Sequence, residues 1–183
     1  ETWCKELREI TIPNSVTQIG YNAFNSCERL QSIILPSSVI EIGSSVFDGC
    51  KKLQNITMPE SITKIGRKAF YGCSSLESIT LPQALDEIGD GAFIECNINI
   101  NINNKFSRFT FDGSCLIDRF SNRLISCCNK DISSYDIPDW VTAIGDASFW
   151  RCQSLQNILI PNSVTDIGHS AFLSCDKLQN IKM

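Results

Sequence analysis

The 183-residue chain has an ordinary globular composition, with 43% hydrophobic and 20% charged residues. Its 16 Lys and Arg are outnumbered by 20 Asp and Glu, and the resulting net charge of −4 argues against nucleic-acid binding and against a polybasic membrane anchor. Apolar runs such as Ile33-Ile34-Leu35 are too short to span a bilayer, and no signal peptide is visible in the first residues.

A 23-residue repeat organises the chain, because four residue types recur at this spacing in fixed register. The cysteine column consists of Cys4, Cys27, Cys50, Cys73, Cys96, Cys152 and Cys175. The phenylalanine column consists of Phe24, Phe47, Phe70, Phe93, Phe149 and Phe172. The pattern predicts a leucine-rich-repeat solenoid, mainly β with short 3₁₀ or α turns, in which stacking buries apolar edges that no single unit can bury alone.

The second unit shows the order of elements within one repeat. Ile33 and its apolar neighbours predict a strand in the first wall, which Pro36 ends because proline has no backbone N–H to donate. Ile42 predicts a strand on the opposite wall, and Gly43 is expected to adopt a positive φ at the next corner. Phe47 is expected to point inward from the turn that follows.

The register breaks once, between Cys96 and Asn129 in the next cysteine slot. Asp112-Gly113 is a turn signal, and the apolar segments 115–117 and 124–125 predict a β-hairpin that projects from one modified rung. No linker follows. We therefore predict a single leucine-rich-repeat domain over 1–183, with regular repeats at 4–96 and 129–183 and an irregular repeat with a hairpin insert at 97–128.

The repeat C-x-x-L-x-x-I-x-[ILM]-P-x-x-[VIL]-x-x-I-G-x-x-[AVS]-F-x-x resembles the BspA-like class of leucine-rich repeats, known from microbial surface proteins. Leu35-Pro36-Ser37-Ser38-Val39 and Ile42-Gly43 carry the likeness. The resemblance implies cell-surface adhesion, with binding of extracellular-matrix proteins such as fibronectin or fibrinogen, and a surface or secreted location. The repeat residues of that class are scaffold residues, so the resemblance implies no site residue.

The cysteines predict structure more than chemistry. The column cysteines have no C-x-x-C neighbour of the kind that metal sites use, so they are expected to form a buried ladder of thiols. Cys115 and Cys127 lie on the two arms of the predicted hairpin, where a cross-strand disulfide and two free thiols both remain open.

The sequence predicts no catalytic centre, no cofactor and no metal site. His169 is the single histidine, and it occupies a slot that holds Tyr21, Ser44, Arg67 or Asp90 in other units. Such a variable slot is typical of a surface position. Phosphate-binding glycine motifs are absent from the sequence.

Exposed apolar residues give the best functional signal. The slot after the Phe column ends in four apolar members, which predict a protein-binding ridge interrupted by the rung that carries Phe120. They are Tyr71, Ile94, Trp150 and Leu173. Half-burial between neighbouring turns is the alternative. A second candidate is the outer face of the strand wall, formed by Thr11, Ile34, Thr57, Thr80, Leu159 and Lys182.

Two function classes fit these features: an adhesive surface module for host or cell-surface proteins, and an intracellular scaffold or signalling repeat. Neither end of the sequence shows a polar cap, so we expect partly uncovered apolar residues there, and either a longer natural array of which this chain is a segment or end-to-end self-association. These residues are Cys4, Leu7, Ile10 and Ile12 at one end, and Cys175, Leu178, Ile181 and Met183 at the other.

Overall fold

The computed structural model describes residues 4–102 and 107–182. Contacts between Cα atoms divide the chain into two compact units, Glu1–Ser107 and Arg108–Met183. Each unit is a leucine-rich-repeat solenoid built on the 23-residue period, as predicted. The organisation as a single domain stays a prediction.

The first unit has two strand walls. The described strands in chain order are β1 (Gln18–Ile19), β2 (Ser32–Ile34), β3 (Glu41–Ile42), β4 (Asn55–Thr57), β5 (Lys64–Ile65), β6 (Ser78–Leu81), β7 (Glu87–Ile88) and β8 (Asn99–Ile102). The odd-numbered strands form one four-stranded parallel sheet, and the even-numbered strands pair as β2-β4 and β6-β8 on the other wall.

The second unit also has two strand walls. The described strands are β9 (Phe109–Phe111), β10 (Cys115–Asp118), β11 (Arg123–Cys127), β12 (Ser134–Asp136), β13 (Ala143–Ile144), β14 (Asn157–Leu159), β15 (Asp166–Ile167) and β16 (Asn180–Lys182). One sheet has the order β15-β13-β11-β10-β9, and the other has the order β12-β14-β16.

Neighbouring rungs pair in parallel with a register of one repeat. In the sheet that contains β3 and β5, Ile42 lies beside Ile65 and Glu41 beside Lys64. Both isoleucines are fully buried, whereas Lys64 points outward and forms an ion pair with Glu87 at 2.9 Å. The alternation of side chains along a strand therefore separates a continuous apolar core from an outer surface of cross-rung polar contacts.

The prolines act as the sequence predicts, at the corner after the first wall. The Pro36 carbonyl accepts a hydrogen bond from the Val39 amide at 3.0 Å, which closes a turn. At the same corner the Ser38 hydroxyl donates to the Val16 carbonyl of the preceding rung at 2.7 Å. Ser61 and Ser163 make the same bond in their own rungs. A serine ladder therefore ties these corners together.

The turn side of each rung differs from the expected short helices. The described residues contain turns but no helical segment. Every second amide there donates a hydrogen bond to the next rung, as Phe24 N does to Val46 O at 2.9 Å. The amides between them close local turns, as Ala23 N does by donating to Gly20 O at 3.2 Å. Positive φ values of 57° at Asn22 and 58° at Ser26 allow this alternation, which a helix cannot provide.

The expectation of a positive φ at Gly43 is wrong, because the described glycines with positive φ are Gly49, Gly72, Gly91 and Gly113. The glycine column serves close approach instead. A Cβ atom on Gly43 would lie 2.8 Å from the Ile19 carbonyl oxygen, and one on Gly66 would lie 2.5 Å from the Gly43 backbone. Stacking of the rungs at this corner therefore requires residues without a side chain.

The Phe column forms the centre of the core in each unit. In the first unit Phe24, Phe47, Phe70 and Phe93 stack with ring centroids 5.3–5.7 Å apart. In the second unit Phe149 and Phe172 stack at 5.2 Å, and Tyr135 packs against Phe149 at 5.9 Å. Such offset stacking adds to the free energy gained from burial of the rings.

The irregular segment contains an antiparallel pair, but that pair does not project from the rung. β10 pairs with β11 and, on its other side, with β9. β11 also pairs in parallel with β13, so it is the wall strand of its own rung. Almost all residues of β10 and β11 are buried. As strands of the wall, β10 and β11 turn their apolar side chains toward the core. A hairpin that projected into solvent would leave those side chains exposed to water.

The residues expected to be uncovered at the two ends are indeed only partly covered. Cys4, Leu7, Ile10 and Ile12 are half-buried. At the other end Cys175 and Leu178 are half-buried, and Ile181 is 49% exposed; Met183 lies outside the described residues. End-to-end self-association stays a prediction.

Candidate functional site

The column cysteines form the buried thiol ladder that the sequence predicts. Cys27, Cys50, Cys73 and Cys96 are fully buried. The thiols of Cys50, Cys73 and Cys96 bond to the preceding rung, as Cys73 Sγ does in donating to the Phe47 carbonyl at 3.2 Å. Burial raises the pKa of Cys50 to about 12, although a hydrogen bond from the preceding rung opposes this shift. Such thiols are unreactive packing groups.

Cys115 and Cys127 lie directly opposite each other in the antiparallel pair, and both are free thiols in the structure. Burial raises the pKa of Cys115, and a hydrogen bond with Cys127 partly offsets the effect. The same hydrogen bond is the largest cause of the raised pKa of Cys127. The pair is therefore placed as the disulfide hypothesis requires, and the choice between a disulfide and two free thiols stays a prediction.

No group of three or more His, Cys, Asp or Glu residues within 4–102 and 107–182 is placed to hold a metal ion. His169 is exposed, and its backbone amide donates to Asp146 Oδ1 at 2.8 Å. In the described part of the chain, no helix is long and apolar enough to cross a membrane.

The four residues of the proposed ridge lie in different environments. Tyr71 and Ile94 belong to the first unit, and Trp150 and Leu173 to the second. Leu173 is 47% exposed, whereas Ile94 is only 3% exposed and therefore presents no surface to a partner. Tyr71 and Trp150 are half-buried, and Tyr71 donates from its hydroxyl to Glu95 at 3.1 Å. The slot is thus partly a packing position between rungs.

A more exposed aromatic residue lies at the turn between β10 and β11. Phe120 is 84% exposed. Asp118 fixes this turn, because its carboxylate accepts hydrogen bonds from the Phe120 amide at 2.9 Å and from the Ser121 hydroxyl at 2.8 Å. The Arg108 guanidinium binds the same carboxylate and lies 5.3 Å from the Phe120 ring centroid. The ring is therefore presented by a rigid support.

Burial alone would raise the pKa of Asp118. Hydrogen bonds from Arg108, Ser121 and the Phe120 amide outweigh burial and hold the pKa below its ordinary value. The carboxylate is thus charged at neutral pH, and the turn that carries Phe120 keeps its support under physiological conditions.

Trp140 is the second exposed aromatic residue of this region, at 42% exposure. It occupies the corner slot where other rungs have Ser38, Ser61 or Ser163. Arg123 of β11 pairs with Ala143 of β13, and Phe120 and Trp140 precede these partners by the same number of residues. The two aromatic side chains therefore stand at corresponding corners of adjacent rungs. We call Phe120 and Trp140 the aromatic corner.

The family model for the BspA type leucine rich repeat region matches in six copies, over residues 2–118 and 118–183. The chain belongs to the BspA-type leucine-rich-repeat family. A comparison with curated proteins found no match.

Several solved structures share the BspA-type fold of this chain. The pneumococcal vaccine antigen PcpA superposes with a TM-score of 0.82 at 28% identity, covering 92% of this chain and 42% of the antigen. A leucine-rich cell surface protein of Faecalibacterium prausnitzii gives 0.65 at 26% identity, covering 98% and 62%. A leucine-rich-repeat protein of Bacteroides ovatus gives 0.59 at 26% identity, covering 98% and 56%. This chain thus spans less than two thirds of each of these proteins.

Sequence reasoning on this BspA-type chain missed Trp140, although the repeat carries a signal for it. A tryptophan replaces serine in a column whose hydroxyls bond the preceding rung, as Ser163 does to Val141 O at 2.8 Å. The replacement of such a serine by a large aromatic residue shows that the fold does not require serine at this position. The exposed strand face was predicted correctly, since Ile34 is 70% and Leu159 36% exposed and the other residues of that column are exposed too.

Proposed function

We propose that this BspA-type protein is a non-enzymatic adhesive module, secreted or held at the cell surface, that binds host or cell-surface proteins. The aromatic corner is the observation that carries the proposal. Phe120 and Trp140 are exposed aromatic side chains on adjacent rungs, and a partly buried ion pair holds one of them in place. Aromatic residues beside arginine are enriched among the residues that dominate binding energy at protein interfaces.

The solved relatives support the location. One is described as a cell surface protein and another as a vaccine antigen. Fibronectin and fibrinogen are the partners that we propose to test first, because extracellular-matrix proteins are the targets that the family resemblance implies. Large solenoid walls with regular exposed rows are well suited to such extended partners.

The binding test uses immobilised fibronectin and fibrinogen and three forms of the protein. In the double variant Phe120→Ala with Trp140→Ser, we expect the free energy of binding to weaken by about 2 kcal/mol or more. Ile167→Ala is the matched control, because it removes an exposed apolar side chain from a strand of the same unit that belongs to neither candidate binding surface. Equal binding by all three forms would exclude the aromatic corner as the protein-binding site.

A second candidate function is an intracellular scaffold. It is favoured by the ten free cysteines, since reduced thiols are typical of the cytosol. Antibody labelling of intact, unpermeabilised cells separates the two proposals. Labelling supports the adhesive module, and labelling that requires permeabilisation supports the scaffold.

A further inference from the structure

A polar groove of about 400 Å³ lies on the turn side of the first unit. The residues of the aromatic corner belong to the second unit and do not line it. It extends over three rungs. The middle rung contributes Ser44 and Ser45, whose side chains are short. The first rung contributes Tyr21 in the same slot as Ser44, and the third contributes Arg67. The groove therefore results from small residues between two long ones.

The backbone around the groove is fixed. Asn22 N donates to Ser44 O at 3.1 Å, and Ser45 N donates to Arg67 O at 2.8 Å. Asn22, Ser45 and Lys68 all have φ values of 53–57°, so each rung makes the same turn at this position. A ligand would thus meet a preformed site and would not have to order a loop.

The groove carries one excess positive charge. It contains the two cations Arg67 and Lys68 and the single carboxylate Asp48, which gives +2 − 1 = +1. Arg67 is exposed, and among the described residues its guanidinium has no ion pair or side-chain hydrogen bond. Its planar donors are suited to a carboxylate. Asp48 would repel a dianion more strongly than a monoanion, which favours a ligand with one negative charge.

The remaining lining groups suit a sugar ring. Tyr21 is 73% exposed and offers an aromatic face for the apolar C–H side of a pyranose. Asn22 accepts from Asn25 through its oxygen at 3.3 Å, so its NH₂ group is oriented for an external acceptor. Asp48, half-buried beside them, is an acceptor for sugar hydroxyls. A protein hot spot would instead be expected to show a mainly apolar lining.

We propose that this groove binds a carboxylate-bearing sugar unit of a glycan. Arg67 pairs with the carboxylate, the ring stacks on Tyr21, and Asn22 and Asp48 bind the hydroxyl groups. The carboxylate belongs to a terminal sialic acid or to a uronic acid within a chain, and the two sources share this chemistry. This inference goes beyond the adhesive function proposed above and does not depend on a protein partner.

The experiment titrates the whole chain by NMR with four probes. They are the methyl glycoside of N-acetylneuraminic acid with its carboxylate free, glucuronic acid, glucose and acetate. We expect saturable binding of at least one acidic sugar below about 20 mM. Acetate, which lacks the ring, and glucose, which lacks the charge, are expected to bind more weakly. The ratio between the two acidic sugars identifies the source of the carboxylate. Failure of both acidic sugars to saturate would overturn the proposal.

Two variants and one control locate the site. Arg67→Ala is expected to weaken acidic-sugar binding about tenfold or more, to the level of glucose. Tyr21→Ala is expected to weaken the sugars while leaving acetate unchanged. Lys52→Ala removes the same charge from an exposed residue outside the groove and should bind like the native chain. Native-like binding by Arg67→Ala, or an equal loss in Lys52→Ala, would refute the assignment.

Discussion

Arg108 and Asp118 are joined by two parallel hydrogen bonds, from Nε to Oδ1 at 3.0 Å and from Nη2 to Oδ2 at 2.8 Å. This bidentate pair connects the residue preceding β9 to the end of β10, and its carboxylate also organises the turn that presents Phe120. The side chain of Asp118 is 9% exposed and that of Arg108 is 29% exposed. Loss of one partner would therefore leave a charge in a largely desolvated position.

Asp118→Asn should lower the free energy of unfolding by about 2 kcal/mol at neutral pH, because the charged hydrogen bonds with Arg108 are lost. The folded-state pKa of Asp118 is lowered, so its stabilisation is complete above the unfolded-state pKa of about 3.9 and is lost as the pH falls through the folded value. Denaturant unfolding from pH 7 to pH 2 measures this.

The matched control is Asp139→Asn, an equal change at an exposed residue near the same corner. The difference in stability between native protein and Asp118→Asn should shrink as the pH falls through the lowered folded-state pKa of Asp118, because the carboxylate then loses its charge. A difference that stays constant with pH would show that the carboxylate charge contributes nothing.

Gly66→Ala should destabilise the protein by about 3 kcal/mol, because the new Cβ would lie 2.5 Å from the Gly43 backbone and would force two rungs apart. Gly20→Ala is the control. Apart from its own chain neighbours, no atom of the described residues lies within 4 Å of the position of its Cβ, so the change should be neutral or should stabilise slightly by restricting the unfolded chain. Thermal melting of both variants checks this, and equal melting temperatures would contradict the close-approach role of the glycine column.

Trp150→Ala and Leu173→Ala should separate packing from binding within the proposed ridge. Trp150 is half-buried, so loss of its ring packing should cost about 2 kcal/mol of stability, although its ring N–H is buried without a partner among the described residues and opposes part of that stabilisation. Leu173 is 47% exposed, and its removal should leave the melting temperature unchanged. Weaker binding of fibronectin or fibrinogen by Leu173→Ala would support the ridge as a second contact surface. Unchanged binding would remove Leu173 from it.

The thiol ladder should resist alkylation in the native protein. Cys4 and Cys175 are half-buried, whereas the other cysteines are buried, and burial raises the pKa of Cys50 to about 12. Brief treatment with iodoacetamide at pH 8, followed by peptide mass mapping, should therefore place adducts first on Cys4, because a hydrogen bond with Cys152 and burial raise the pKa of the half-buried Cys175 as well. Alkylation of the protein unfolded in urea is the positive control, because every thiol should then react. Rapid modification of Cys73 in the native protein would contradict the closed core.

The hypothesis of a Cys115–Cys127 disulfide has its own test. The two residues are directly opposed across β10 and β11. Mild oxidation of the native protein followed by non-reducing peptide mapping should yield this pair before any other, because no other cysteines face each other across antiparallel strands in the described part of the chain. A first disulfide between any other two cysteines would contradict the opposition of Cys115 and Cys127.

The repeat in the sequence determined the fold of each unit. A residue type that recurs every 23 positions must meet its own kind on the next rung, so the Phe and Cys columns predicted the stacked rings and the thiol ladder without any knowledge of angles. Phe47 was expected to point inward from its column alone, and the structure buries it fully. Periodic burial is thus readable from the chain.

Only the tertiary structure decided the features that depend on distances between rungs. The spacing between Gly43 and Gly66 backbones, and not a local φ, explains the glycine column. Hydrogen bonds to the next rung replaced the expected helical turns, and the pairing of β11 with β13 brought the predicted hairpin into the wall. Ile94 and Trp140 show the same limit at the surface. The column pattern predicted an exposed Ile94 and overlooked Trp140, because exposure depends on what neighbouring rungs cover, and one sequence position does not contain that information.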